Sequence, residues 1–80
     1  MKSYEEIKDS VFEFFEDEDY VGNKSPVTLE TVAHVYSGWS PNELFDALLL
    51  YRFDISLWCH DYPNVLTVKD YIDLIFEKQK

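Results

Sequence analysis

Ser40-Pro41-Asn42-Glu43, followed at once by Leu44-Phe45-Asp46-Ala47-Leu48-Leu49-Leu50, constrains the fold more than any other stretch of this chain. A serine just before a helix can accept a hydrogen bond from a backbone N–H of the first turn. Proline suits the first helical position, where its missing N–H has no partner to lose, and Glu43 can reach back to close a capping box. The spacing predicts a helix with an inward stripe of Leu44, Ala47, Leu48 and Tyr51, widened by Phe45, Leu49 and Leu50. A helix so apolar must lie near the centre of the fold.

Three other segments would wrap it. Ser3 with Glu6 forms a first capping-box pattern. Tyr4, Ile7, Val11, Phe14 and Phe15 then fall on one face of a helix ending near Phe15, with Glu5, Glu6, Asp9, Glu13 and Glu16 on the wet side. Glu16-Asp17-Glu18-Asp19 ends that helix, since adjacent carboxylates repel at the negative end of its dipole. Tyr20 to Pro26, with Gly22, Asn23 and Pro26, reads as loop. Val27 to Tyr36 is ambiguous. Its β-branched residues would suit a strand, but no partner run exists elsewhere, which favours a short helical turn carrying Leu29, Val32, Ala33 and Val35 inward, with Thr28 able to cap it. Phe53 to Pro63 is a connector with one short helix through Leu57 and Trp58, broken at Pro63-Asn64. Thr67 with Asp70 then caps a last helix whose inner face is Val68, Tyr71, Ile72 and Ile75.

Eighty residues make one domain, 1–80, which would bury about 60–65% of its unfolded surface. Hydrophobic residues at 46% and aromatics at 18% supply the core. Sixteen acids against seven Lys plus Arg give a net charge of −9. Such a field repels nucleic acid and anionic membrane and speeds encounter with basic protein surfaces. A basic protein partner is therefore expected, with no direct nucleic-acid or membrane contact. Cys59 is the sole cysteine, which rules out an internal disulfide or a Cys-rich zinc site and suits a reducing cytoplasm. The polar start Met1-Lys2-Ser3-Tyr4 is not a signal core, and no apolar run reaches the roughly 18 residues of a membrane span. The expectation is a cytoplasmic monomer.

Phe53-Asp54-Ile55, then Leu57, then Val65-Leu66-Thr67-Val68-Lys69-Asp70-Tyr71-Ile72-Asp73, resembles the Phe-Asp-Ile and Ile-Thr-Thr-Val-x-x-Ala-Ile-Asp stretches of the acyl carrier protein family. The order of elements is similar too: a helix, a long loop, a central apolar helix, a short connector helix and a closing helix. The resemblance implies an all-α fold, a small four-helix bundle with a long loop between its first two long helices. It also implies 4′-phosphopantetheine carried on a serine at the start of the central helix, where the family has Asp-Ser-Leu. Here that stretch reads Gly38-Trp39-Ser40-Pro41: Ser40 stands at the right point, Trp39 replaces the Asp and Pro41 the Leu. Ser40 to Phe53 is one residue short of the family spacing, and Ser37 lies a turn too early. Only Glu43 and Asp46 stand for the acidic edge that the family has on this helix.

Each feature has a plainer reading. Ser40 is fully explained as a cap worth about 1 kcal/mol. Cys59 and His60 are adjacent, poor geometry for a nucleophile and its base on one element, and Cys59 reads as a half-buried connector residue. His34, in an apolar stretch, reads as structural. The acidic run lacks the ligand alternation and glycine of a calcium loop and reads as a solvated face or a protein-binding edge. Trp39, Trp58, Tyr36, Tyr51 and Tyr62 exceed what so small a core needs: those left outside it would form a contact patch, with Trp39 the first choice, and packing in the core or as a lid is the equal alternative. No catalytic constellation or phosphate-cradling glycine loop stands out, so no enzyme is expected. Two functions remain. One is a carrier-like protein with 4′-phosphopantetheine on Ser40. The other is an acidic adaptor or inhibitor, of the immunity or nucleic-acid-mimicking kind, with no prosthetic group. Either would dock through Glu13, Glu16, Asp17, Glu18, Asp19, Trp39, Glu43 and Asp46.

Overall fold

The computed structural model describes residues 2–17 and 26–79. Helix α1 (Tyr4–Asp17) comes first, capped as its sequence demands: Ser3 N–H donates to Glu6 Oε1 at 2.9 Å and Glu6 N–H to Ser3 Oγ at 3.2 Å. The serine's bonds hold the Glu6 carboxyl below its ordinary range. Ile7, Val11, Phe14 and Phe15 are buried, and Tyr4 is half-buried. The helix runs two residues past the expected end, so Glu16 and the backbone of Asp17 lie in its last turn; two adjacent acids do not stop a helix whose apolar face is already packed. Glu18, Asp19 and the segment expected as loop, up to Ser25, lie outside the described residues.

The β-branched stretch before the central helix takes neither of its expected forms in full. Thr28 and Thr31 close a turn on each other, with Thr28 N–H on Thr31 Oγ1 at 2.9 Å. Helix α2 (Ala33–Ser37) begins only after Val32, which supplies no side-chain cap. Val32 instead makes a single antiparallel bridge with Thr67. Ala33 N–H donates to Leu66 O at 2.9 Å and Val68 N–H to Thr31 O at 2.8 Å. The partner for this strand-like stretch is thus the residue that caps the closing helix. The bridge turns Val32 and Val35 outward, correcting the expectation for both, while Val27, Ala33 and Tyr36 go in. Gly38 ends α2 with φ 76°, a left-handed value that a Cβ would disfavour.

Helix α3 (Pro41–Leu44) passes directly into a π-helical segment (Phe45–Arg52). Leu44, Phe45, Leu48 and Leu49 are buried at 0–2% exposure, which places this helix at the centre of the core. The wider turn ends with Phe53 N–H shared between the carbonyls of Leu49 and Leu50. It changes the register: Phe53 comes half inside, while Tyr51 is 82% exposed and Leu50 38%. The inward reading of Tyr51 and Leu50 was that of a continuous α-helix. Leaving Tyr51 outside keeps its hydroxyl in water, where a buried one would need a partner. The same turn sends Arg52 across to α1, where its guanidinium donates to Ser10 O at 3.2 Å, meets Glu13 at 3.5 Å and lies 5.7 Å from the centre of the Phe14 ring. The ion pair is exposed and contributes little, whereas the aliphatic stem and ring contact are partly covered. Glu13→Gln should therefore change stability by less than about 0.5 kcal/mol and Arg52→Ala cost about 1 kcal/mol, readable as urea midpoints.

Asp54, at φ 57°, reverses the chain, and an extended stretch returns it to a 3₁₀ turn (Cys59–Asp61), two residues beyond the expected connector helix. Helix α4 (Val68–Lys78) closes the fold with its predicted capping box and buries Val68, Tyr71, Ile72, Leu74 and Ile75 against α1. Tyr4 OH donates to Asp73 at 2.8 Å across this contact; burial, then that bond, raises the phenol above its usual pKa. Just beyond the same end of the pair Lys2 N–H donates to Gln79 Oε1 at 3.1 Å, and Gln79 Nε2 donates back to Lys2 O. The described residues form a helical globule with no strand beyond the one bridge, and no helix among them is long and apolar enough to cross a membrane.

Candidate functional site

The N-terminal end of α3 is where the chain places most of its unspent chemistry. Ser40 is exposed, and its Oγ accepts from Glu43 N–H at 3.3 Å. Both Ser40 N–H and Ser40 Oγ–H donate to Glu43 Oε1 at 3.1 Å, so the box is complete and a carboxylate covers the hydroxyl. Ser37, by contrast, is 5% exposed; its hydroxyl donates to Ala33 O at 2.9 Å and accepts from Trp39 N–H at 3.2 Å. Its role is to shape the turn between α2 and α3.

Beside Ser40 opens an apolar cavity of about 420 Å³. Phe45 forms its floor, Trp58, Tyr62 and Leu66 stand around it, and Cys59 and His60 join its rim. The 3₁₀ turn lies over the start of α3, with Cys59 Sγ 3.9 Å from Asn42 Oδ1. Trp58 is 64% exposed and meets His60 edge-on with ring centres 5.1 Å apart. Tyr71 lies under the cavity, edge-on to Phe45; burial chiefly, then nearby Cys59 and Asp70, pushes its hydroxyl well above the usual range.

Comparison with protein-family models, curated proteins and solved structures finds no match.

The expected docking residues separate into two groups. Ser40 and Glu43 touch, and Asp46 is exposed on the π-helical segment after them. Glu13 and Glu16 are exposed on α1, Glu13 being tied to Arg52. Trp39, readable either as an exposed contact or as a lid, takes the second form: it is half-buried against the core and meets Phe14 edge-on with ring centres 6.1 Å apart. It is a lid on the end of α1. The exposed tryptophan is Trp58. A connector without periodicity has no inner face to pull its aromatics in, and that was the signal for Trp58. Leu66, 46% exposed, was hidden because it sits in a stretch readable only as the approach to a cap. His34 is half-buried in α2. Among the described residues no three His, Cys, Asp or Glu side chains gather as metal ligands.

The residues present accommodate a prosthetic arm on Ser40. Ser40 is exposed, it stands at the mouth of an apolar cavity, and its Oγ is hydrogen-bonded to Glu43. A phosphodiester there would repel the Glu43 carboxylate at hydrogen-bond range, so Glu43 would have to turn away.

Proposed function

We propose that this chain is an acyl-carrier-like protein that bears 4′-phosphopantetheine on Ser40 and docks on a basic partner. The observation that carries the reading is the exposed Ser40 hydroxyl at the start of the central apolar helix, on the rim of an apolar cavity. The resemblance in Phe53–Ile55 and Val65–Asp73 supports it. When bound, the arm would supply a thiol for a thioester. The chain's own part is to hold the attachment point at a fixed helix end, to shelter apolar substance between Phe45, Tyr62 and Leu66, and to present carboxylates to a cationic surface. The hydroxyl needs no base of its own, because the modifying enzyme provides one. Co-expression with a broad-specificity phosphopantetheinyl transferase should add the mass of one phosphopantetheinyl group, absent in Ser40→Ala. An unchanged mass with several transferases removes the proposal. Glu43→Gln keeps the cap but lightens the charge at Ser40, and should be modified faster than the parent.

A second reading has its own support. The Ser40 hydroxyl is already engaged by Glu43, and Trp39 packs down where the family has a carboxylate. Both suit an acidic adaptor or inhibitor with no arm. Its expected signature is a protein complex that forms at low salt and dissociates in ~1 M salt while the mass stays that of the bare chain.

A further inference from the structure

The cavity beside Ser40 has an open lip of apolar side chains that its floor does not need. Trp58 is 64% exposed and Leu66 46%, and both line the opening. Exposed residues of this size gathered at one opening mark a binding surface. Carboxylates stand beside several of its lining residues. Glu43 stands at Ser40, and Asp61 lies between the lining residues His60 and Tyr62. Asp70 grips the backbone N–H of Leu66 at 3.1 Å, and it keeps its charge: burial opposes this, but bonds from Thr67 and Leu66 prevail and hold its pKa low. No Lys or Arg lines the cavity. Lys78 shows what such a ring accepts, its ammonium lying 5.7 Å from the centre of Tyr62.

We infer that this groove seats a basic peptide segment of a partner protein, with one large apolar side chain inserted over Phe45 between Trp58 and Leu66, and Lys or Arg on either side facing Glu43, Asp61 and Asp70. This rests on the basic partner of the function proposed above, and gives that partner a place and a shape. The charge decides among occupants. Nucleic acid, an anionic membrane and a second copy of this chain are each repelled by a net charge of −9, while a cationic segment is drawn to it. The apolar lip makes the contact more than a diffuse attraction, since desolvated aromatic anchors dominate the energy of such interfaces.

The test titrates the whole chain with a synthetic Lys/Arg-rich helical peptide carrying a leucine stripe, followed by NMR of the two tryptophan indole N–H signals. The Trp58 signal should move while that of Trp39, packed on Phe14, stays. Trp58→Ala and Leu66→Ser, both at exposed positions, should each weaken binding about tenfold. Exchanging the peptide's leucines for serine, or raising salt to ~1 M, should weaken it likewise. Undiminished binding in Trp58→Ala, or by the leucine-free peptide, overturns the inference. So does equal binding of an acidic peptide with the same leucine stripe, or a dimer of the chain that buries Trp58. Peptide binding without any mass gain would sink the carrier and leave the groove; a mass gain without peptide binding would do the reverse.

Discussion

Leu48→Ala is expected to cost about 2–5 kcal/mol, while Tyr51→Ala, three residues on, should stay within about 0.5 kcal/mol of the parent. Leu48 is fully buried in the central helix, so truncation leaves a cavity in a core whose other side chains are already packed. A domain of this size has on the order of 4–12 kcal/mol to lose, so Leu48→Ala removes a large fraction of it. Tyr51 is 82% exposed, and its removal gives up almost no burial. The pair reports on the π-helical turn itself. On a continuous α-helix from Pro41 to Arg52 the two side chains would share a face, and Tyr51→Ala would then cost several kcal/mol. Chemical denaturation of both variants, with equal urea slopes, separates the two geometries.

Asp70→Ala should cost about 2 kcal/mol, although the side chain is only half-buried. One carboxylate oxygen accepts from Leu66 N–H and Thr67 N–H, both at 3.1 Å, and these donors lie in the segment that bridges to Val32. Removing the acceptor takes the cap from both donors and frays the start of α4 and the bridge together. The same bonds give a pH dependence. Burial acts to raise the pKa of Asp70, but the bonds from Thr67 and Leu66 outweigh it and the folded value is lowered. The unfolded chain therefore takes up the proton first as pH falls. The contribution is complete above the ordinary carboxylate range and is lost below about pH 4, through the lowered folded value. Glu6, lowered by Ser3, acts in the same direction. Asp70→Ala should flatten this acid limb of the stability curve, and an unaltered limb would show that other carboxylates govern it.

The sequence made the capped elements legible and lost the uncapped ones. Ser3/Glu6, Ser40/Glu43 and Thr67/Asp70 each form the reciprocal bonds their spacing foretold, because a capping box is local chemistry complete within four residues. The inner faces of α1 and α4 followed for a similar reason, since apolar spacing over three turns admits one answer. Val32 and Thr67 could not be paired in advance: the bridge joins residues 35 apart in sequence, and only tertiary packing chooses it. The π-helical turn was equally invisible, because Leu44 to Leu50 is apolar on nearly every side and supports more than one register. At the site, Ser40 and Glu43 were found where expected. The cavity beside them was not, as it is made by a connector that folds back through Cys59 and Asn42 and leaves no periodic trace.

Lys2 and Gln79 clasp each other next to Arg52 and Asp54, at the end of the central helix opposite Ser40 and the Trp58 groove. The molecule is thereby polar in layout. Anything tethered through residue 2 or residue 79 leaves from one pole, so an affinity handle or fused domain placed there need not shadow Ser40 or the Trp58 groove.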